Sequence, residues 1–403
     1  MDTLTLDLIQ PLISGNQFDA PVVDPAVNRM PPPGTTVVVA MSGGVDSSVA
    51  AALLKGHGCD VIGVTMHLWD YDRVGGNTQR EHGCCTIDDR NDARVVAGRL
   101  GIPYYVVDFR EAFQKGVIDR FASEYLHGRT PNPCVSCNSQ VKFGVLLDRA
   151  RQLGADFVAT GHYARIVQET GRYLLKTGID ANKDQSYALW ELTQEELAMT
   201  VFPIGSLTKG ETRRIADRLT PRVAQKKDSY EICFIQDDSY ERFLREYAET
   251  HPMTSGDGLL QIEAPIRSGP IVDLAGKVLG EHRGYPFYTI GQRKGLGLAA
   301  GKPVYVVDIQ PETNTLVVGT DEDLLRSTLI ADRLNWMAPP APDGPARCDV
   351  KIRYKSERTP ATITPLGDGS ARIDFDVPQR AITPGQSVVF YEGDTALGGG
   401  IIR

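Results

Sequence analysis

Residues 37–48 have the sequence VVVAMSGGVDSS, in which a run of apolar residues leads directly into a loop of glycine and serine. A continuous apolar run is typical of a parallel strand that is covered on both faces. The two glycines allow the backbone to turn with its N–H groups converging, and Ser42 and Ser47 add hydroxyl donors. A helix that begins near Asp46 would direct the positive end of its dipole at the same loop. The loop is therefore predicted to bind pyrophosphate.

A Walker A loop would have a lysine after its last glycine, and this loop has none, which argues against ordinary γ-phosphoryl transfer. The string SGGVDS resembles the PP-loop of the ATP pyrophosphatase superfamily. Members of that superfamily cleave ATP between its α- and β-phosphates and adenylylate a substrate. ATP is therefore the expected nucleotide. Mg²⁺ is expected beside Asp46, because a carboxylate next to phosphates is a common ligand of that ion.

The composition indicates several folded domains in a reducing compartment. A single hydrophobic core stops growing near roughly 250–300 residues, and this chain has 403. No apolar run approaches the roughly 18–20 residues of a membrane span, and the N-terminus lacks the features of a secretory signal. The seven cysteines are odd in number and lack framework spacing, which favours reduced thiols. We therefore expect a cytoplasmic protein that does not associate with membranes.

The order of strand and helix patterns divides the chain into four parts. Residues 1–34 are rich in proline and aspartate and are predicted to form a disordered tail. From 35 to 220, alternating strands and helices predict an α/β, doubly wound parallel sheet of the PP-loop (adenine nucleotide alpha hydrolase-like) class, with ATP at its switch point. Residues 221–302 form a small central domain that we expect to bind tRNA. Short alternating segments predict a β-barrel from 303 to 403.

Two cysteine segments carry the second part of the chemistry. Cys134 and Cys137 lie in TPNPCVSCN, where the two prolines are expected to delay the helix until just after Cys137. A helix N-terminus favours the thiolate form of a nearby cysteine. Cys233 follows in KKDSYEICFI, close behind Lys226 and Lys227, whose charges would have the same effect.

An isolated C-x-x-C pair has several interpretations, among them half a zinc site and a redox pair. A structural zinc site would need a second pair of ligands, and Cys233 has no other cysteine or histidine within five residues. The adjacent Cys84 and Cys85 are expected to be loop thiols. Cys59 and Cys348 lie in apolar strands, where a buried, inert thiol is expected.

The net charge of −8 means that any RNA must bind to a local basic patch. The run from Lys209 to Lys227 has seven basic residues and two acidic ones, and it is a candidate for that patch. A solvated helix face would have the same composition.

A series of longer motifs resembles the tRNA-specific 2-thiouridylase family over everything except the tail. In chain order these are SGGVDSS, RTPNPCVSCN, ATGHYARI, KDQSYALW, KKDSYEICFI, GQRKGLG, KIRYKSERTPATI, PGQSVVFY and LGGGII. The resemblance implies that ATP adenylylates O2 of the wobble uridine in the tRNAs for Lys, Glu and Gln. A persulfide sulfur, supplied by a donor such as a cysteine desulfurase or a sulfur-relay carrier, then displaces AMP and gives 2-thiouridine.

The resemblance also implies roles for individual residues. The ATP-binding residues would be Ala40, Met41, Ser42, Gly43, Gly44, Val45, Asp46, Ser47, Met66 and Gly161. Cys233 would carry the persulfide, and Cys137 would attack it to release sulfur, leaving a Cys137–Cys233 disulfide. The target base would face Asn132, Pro133 and Cys134. The remaining tRNA contacts would be His162, Lys183, Asp184, Gln185, Arg353, Tyr354 and Gln386. Outside these motifs, His162 would be interpreted as a core histidine, and Arg353 and Tyr354 as barrel surface.

One position departs from the family pattern. Much of the family has aspartate where this chain has Cys134, and a thiol does not inherit an acid–base role. Cys134, Cys137 and Cys233 could instead offer three thiolates to a 4Fe-4S cluster. The persulfide route, which needs no metal ligands, is the preferred interpretation.

Two other functions fit part of the pattern. A PP-loop amidotransferase would also adenylylate its substrate, but it would need an ammonia source, and the remaining length of this chain forms a barrel. A non-catalytic RNA-binding module would leave the loop and the cysteines unexplained.

Overall fold

The computed structural model describes residues 27–69, 87–226, 232–235, 239–250, 266–298, 301–337 and 340–403. Its first domain contains a five-stranded, entirely parallel sheet with the strand order β3-β2-β1-β4-β7. The strands are β1 Thr36–Ala40, β2 Asp60–His67, β3 Tyr104–Asp108, β4 Phe157–Ala159 and β7 Thr200–Val201. This sheet confirms the predicted doubly wound fold class. The short strand β7 was not predicted, because two residues carry no periodic signal.

Helices cover this sheet. They are α1 Val45–Gly56, α2 Ile87–Leu100, α3 Arg110–Phe113, α4 Arg120–Leu126, α5 Pro133–Ser136, α6 Leu146–Gln152, α7 Gln194–Ala198, α8 Lys209–Leu219, α9 Pro221–Ala224 and α10 Tyr240–Thr250. Two π-helical segments, Gln114–Asp119 and Cys137–Val145, join α3 to α4 and α5 to α6. The cysteine motif TPNPCVSCN therefore leads into one long helical segment, 133–152.

The central domain contains a four-stranded sheet with the order β10-β11-β8-β9. Its strands are β8 Gly269–Asp273, β9 Val278–His282, β10 Tyr305–Gln310 and β11 Thr315–Gly319. We predicted from the sequence that the residues of β10 and β11 belong to the barrel. In the structure β11 pairs in parallel with β8, and β8 and β11 share a buried core. Alternating apolar residues identify a strand without specifying its partner.

The C-terminal domain is a closed six-stranded barrel with the order β12-β15-β14-β13-β16-β17. The strands are β12 Leu325–Trp336, β13 Ala346–Lys351, β14 Thr359–Pro365, β15 Ala371–Arg380, β16 Ser387–Glu392 and β17 Thr395–Ile402. Pairing of β12 with β17 closes the barrel. A hairpin of the first domain, β5 Ala164–Glu169 and β6 Arg172–Thr177, extends the same sheet, because β6 pairs with β17. The barrel sheet is thus continuous with the β5–β6 hairpin of the first domain.

The chain before β1 is ordered over part of the predicted tail. Asn28 is fully buried, and its amide nitrogen donates to the carbonyl oxygen of Phe202 at 2.7 Å. The guanidinium of Arg29 lies over the rings of Phe157 and Tyr173. The prediction of disorder is therefore wrong for residues 27–34, since buried hydrogen bonds and cation–π contacts stabilise a segment that has little apolar content. Residues 1–26 lie outside the described part.

We predict that Gly399→Ala destabilises the contact between barrel and first domain. A Cβ atom at Gly399 would lie 2.6 Å from the carbonyl oxygen of Val388 and 2.7 Å from the buried ring of Trp190. Overpacking of this kind costs about 1–3 kcal/mol. Urea unfolding measures the free energy, and Gly367→Ala, whose Cβ would meet open space, is the matched control. Equal stability of the two variants would contradict the packing described here.

Candidate active site

The glycine loop lies at the carboxyl end of β1 and is closed by its own serines. The Ser42 backbone N–H donates to Ser47 Oγ at 3.2 Å, and the two hydroxyl oxygens are also 3.2 Å apart. Gly43 has φ of +72°, and a Cβ atom there would lie 1.9 Å from the carbonyl oxygen of Asp89. Only glycine fits this position, because the left-handed backbone and the close approach of α2 both exclude a side chain.

The N-terminus of α1 is directed at the loop. Its N-cap, Gly44, makes no side-chain capping bond to the first turn. The first N–H groups of a helix lack partners within the helix and favour an anion. Gly161, after β4, packs on the peptide between Asp46 and Ser47. A Cβ atom added at Gly161 would lie 2.6 Å from the carbonyl carbon of Asp46 and 2.6 Å from the backbone nitrogen of Ser47.

The structure brings the predicted ATP-binding residues together at one edge of the sheet. Residues 40–47 form the loop, Gly161 contacts it from β4, and Met66 lies near the end of the adjacent strand β2 and is 8% exposed. Thr65 Oγ1 donates to the Met41 carbonyl oxygen at 2.6 Å and ties β2 to the loop. Parallel sheets bind ligands at this edge.

Two lysines that we had assigned to a basic surface patch lie at the loop. Lys209 Nζ donates to both carboxylate oxygens of Asp46, at 2.8 and 2.9 Å. Lys226 Nζ donates to the Gly43 carbonyl oxygen at 3.0 Å and to Asp89 Oδ1 at 2.7 Å. In the sequence, the only signal for the position of Lys209 was the Thr208–Glu211 capping box, which begins α8.

Asp46 is the carboxylate that would hold Mg²⁺. Its Oδ1 also accepts a hydrogen bond from the Tyr163 hydroxyl at 2.9 Å. Among the described residues no group of three or more carboxylate, histidine or cysteine side chains could hold a metal ion. Mg²⁺ usually binds through one or two carboxylates together with substrate phosphates, and a single carboxylate beside the loop fits that mode.

The helix that carries the cysteine pair begins earlier than predicted. It starts at Pro133, after Asn132, whose side chain accepts a hydrogen bond from the Cys134 N–H at 3.1 Å. Asparagine is a favoured N-cap, and proline is favoured at the first helical position because its missing N–H is not needed there. Cys134 is consequently in the first turn and exposed, and Cys137 lies a turn further along and is partly buried.

Cys137 and Cys233 pack against the same hydrophobic cluster. This cluster includes Phe113, Phe121 and Phe234. The ring of Phe234, which follows Cys233, lies 5.1 Å from that of Phe121 and 5.8 Å from that of Phe113. Neither cysteine forms a disulfide in the described structure.

The hypothesis of a 4Fe-4S cluster requires Cys134, Cys137 and Cys233 to form one set of iron ligands. Within the described part of the chain, no three or more cysteine, histidine or carboxylate side chains form a group that could hold a metal ion, so the iron–sulfur cluster stays a prediction without structural support. Burial raises the pKa of the Cys59 thiol and raises that of Cys348 to about 12, which favours the protonated form of both thiols. Cys84 and Cys85 lie outside the described residues.

The predicted tRNA contacts of the first domain are partly internal. His162 is 7% exposed, and its Nδ1 lies 2.6 Å from Thr160 Oγ1. Burial lowers the pKa of His162 well below its usual range, with a smaller contribution from the charge of Lys142. The Asp184 carboxylate accepts from the N–H groups of Gly178 and Ser186, each at 3.1 Å. Direct contact of tRNA with His162 would require its exposure.

The neighbouring contacts shape one loop. Gln185 Oε1 accepts a hydrogen bond from the Tyr163 N–H at 2.9 Å, and Lys183 N–H donates to the Asp180 carbonyl oxygen at 2.9 Å. The 183–185 loop leads into Tyr187, whose ring centroid lies 6.3 Å from that of Tyr354 on the barrel. The segment that follows this loop therefore packs against the barrel.

The barrel residues differ in exposure. Tyr354 is exposed, whereas the guanidinium of Arg353 donates to the Ala381 carbonyl oxygen and to Thr383 Oγ1. Gln386 Nε2 donates to the carbonyl oxygens of Thr130 and Pro131, at 2.8 and 3.3 Å. Gln386 thus holds the segment that precedes the cysteine helix.

These features are those of a nucleotide-binding α/β domain with a glycine loop suited to an anion, joined to two β domains and carrying partly buried cysteines that form no disulfide. Three family models match consecutive parts of the chain. They are a tRNA methyl transferase HUP domain over residues 35–237, a tRNA methyl transferase PRC-barrel domain over 258–320 and an aminomethyltransferase beta-barrel domain over 326–402.

Curated relatives match nearly the whole chain. The tRNA-specific 2-thiouridylase MnmA of Symbiobacterium thermophilum is 52% identical over 376 residues, which cover 92% of this chain and 93% of the relative. That of Moorella thermoacetica is 52% identical and that of Clostridium perfringens 50%, each covering 91% of this chain and 99% and 98% of the relative. The chain belongs to the tRNA-specific 2-thiouridylase family, which confirms the resemblance found in its motifs. Within the described residues, no helix is long and apolar enough to cross a bilayer.

We predict that Gly161→Ala weakens ATP binding. The new methyl group would overlap the Asp46–Ser47 peptide and displace the first turn of α1 from the loop. Calorimetric titration with ATP measures the effect. Gly98→Ala, in α2, meets nothing within 4 Å and is the control. Wild-type affinity in the Gly161 variant would show that this turn does not contact the nucleotide.

Proposed function

We propose that this protein is an ATP-dependent tRNA-uridine 2-sulfurtransferase that makes 2-thiouridine at the wobble position of the tRNAs for Lys, Glu and Gln. The observation that carries the proposal is the combination, in one member of this family, of a glycine loop suited to an anion with two cysteines, Cys137 and Cys233, that form no disulfide and pack on a common hydrophobic cluster. ATP and tRNA are both substrates available in the cytoplasm, and we propose that location.

The loop residues Ser42 to Ser47 would hold the phosphates of ATP through backbone N–H groups and serine hydroxyls. In the first step O2 of the uridine attacks the α-phosphorus, and the bond to the β-phosphate breaks with its electron pair on pyrophosphate. Donors that are already in place stabilise the developing charge without reorganisation. Mg²⁺, held with the phosphates by Asp46, would neutralise part of that charge.

In the second step the terminal sulfur of a persulfide on Cys233 attacks C2 of the uridine, and AMP leaves. The Cys137 thiolate then attacks the γ-sulfur of Cys233. The sulfur–sulfur bond breaks toward the base and leaves a thiocarbonyl, and a Cys137–Cys233 disulfide forms. A thiol reductant resets the pair, and a persulfide donor such as a cysteine desulfurase or a relay carrier reloads Cys233.

The target base would be held beside Asn132, Pro133 and Cys134. Support for this comes from the N-cap bond that fixes Asn132 and from the Gln386 contacts that anchor the preceding residues. Tyr354 and the 183–185 loop would form a neighbouring face for the tRNA, since the ring of Tyr187, just after that loop, lies 6.3 Å from that of Tyr354. We further propose that His162, Arg353 and Gln386 support this face from within, since each is hydrogen-bonded to the protein.

Cys233→Ser and Cys137→Ser are each predicted to abolish thiolation while leaving adenylylation intact, because neither thiol belongs to the phosphate loop. The adenylylated tRNA should accumulate and can be detected with ATP labelled at the α-phosphate. Cys59→Ser, which changes a buried thiol, is the control. Loss of adenylylation in either variant would contradict the separation of the two steps.

Cys134→Asp is predicted to retain multiple turnovers, since the persulfide route gives this thiol no covalent role. The measurement is the amount of thiolated tRNA per enzyme, with a persulfide donor and a reductant and without iron. The same assay after anaerobic reconstitution with iron and sulfide is the comparison. Activity that depends on reconstitution would overturn the persulfide route and leave the overall function unchanged.

A further inference from the structure

Two largely buried lysine side chains reach the glycine loop from the same part of the chain. Lys209 is at the first position of α8, and Lys226 follows α9. Their side chains are 12% and 25% exposed. Burying a lysine is costly, and the structure compensates both lysines with carboxylates. The two lysine side chains are therefore held by contacts in the loop region and do not project into solvent.

Two arginines of the basic run also form contacts near this point. The Arg213 guanidinium donates to the carbonyl oxygens of Ala224 and Lys226, at 2.6 and 2.9 Å, and so holds the backbone that carries the Lys226 side chain. Arg222 Nε lies 3.0 Å from Asp92 Oδ1, and Lys226 Nζ lies 2.6 Å from Asp92 Oδ2. Arg213, Arg222 and Lys226 therefore form their contacts close to the glycine loop.

Among the described residues, three cations near the loop are paired with carboxylates. The cations Lys209, Arg222 and Lys226 face the carboxylates of Asp46, Asp89 and Asp92. ATP remains anionic after it binds one Mg²⁺. If Asp46 held that ion, its carboxylate would be less available to the Lys209 ammonium, which could then also donate to a phosphate oxygen.

We propose that Lys209 and Lys226 bind the β- and γ-phosphates of ATP and stabilise the departing pyrophosphate. Asp89 and Asp92 hold Lys226 beside Gly43 until the nucleotide arrives. This inference rests on the proposed adenylylation. The bond between the α-phosphorus and the bridging oxygen breaks with its electron pair on pyrophosphate, and two ammonium groups in a partly buried site favour that product.

The test measures binding of inorganic pyrophosphate, ATP and AMP separately, by calorimetry without tRNA. Lys226→Met and Lys209→Met should each weaken pyrophosphate and ATP binding by about tenfold or more, the value of one charge-assisted hydrogen bond. Binding of AMP should be unchanged. Lys176→Met is the matched control, because its ammonium forms a similarly buried pair with Asp394 at 3.0 Å, where β6 joins the barrel strand β17.

Asp89→Asn separates phosphate binding from a merely structural ion pair. It removes a competing carboxylate from Lys226 and leaves the Asp89 backbone contact with Gly43, so pyrophosphate should bind as tightly as to the wild type or more tightly. Lys226→Arg keeps the charge and should retain most of the affinity. If Asp89→Asn and Lys226→Met weaken binding equally, the pair is structural and the inference is wrong.

Two further outcomes distinguish the alternatives. Lysine variants that keep ATP affinity but bind tRNA more weakly, with a smaller salt dependence, would return these residues to a tRNA patch and overturn the inference. A wild-type protein that binds pyrophosphate through both lysines but never thiolates tRNA would support the inference and refute the proposed function.

Discussion

The close backbone packing around the glycine loop is the constraint on which the rest of the structure depends. Gly43 lies against the backbone of α2, and Gly161 lies against the first turn of α1. No side chain fits between these segments, so the loop, the helix terminus and the end of β4 are held as one unit. An anion-binding site formed in this way needs little reorganisation when the nucleotide binds.

The barrel contacts both the first domain and the segment that leads into the cysteine helix. β6 joins the barrel sheet through β17, and Gln386 donates to the two carbonyl groups just before the cysteine helix. The position of that helix consequently depends on two domains. This arrangement accounts for the length of chain devoted to a barrel that contributes no catalytic thiol.

The sequence was sufficient for the α/β class, the loop and most of the elements of the first domain, because long apolar strands and the glycine string have strong local signals. It failed where the outcome depends on distant partners. β10 and β11 pair with β8, residues 27–34 are held by buried hydrogen bonds, and Lys226 lies at the loop. The early helix start at Pro133 was a local error, since proline after asparagine is a signal for a helix N-terminus.

The most direct test of the account is the stoichiometry of one reaction, with the wild-type protein, ATP, unmodified tRNA and a persulfide donor with reductant. Labelled ATP and nucleoside analysis measure AMP, pyrophosphate and 2-thiouridine together. The account predicts equal amounts of the three products and no nucleotide cleavage without tRNA. Formation of ADP and phosphate, or of AMP without any thiolated nucleoside, would contradict it.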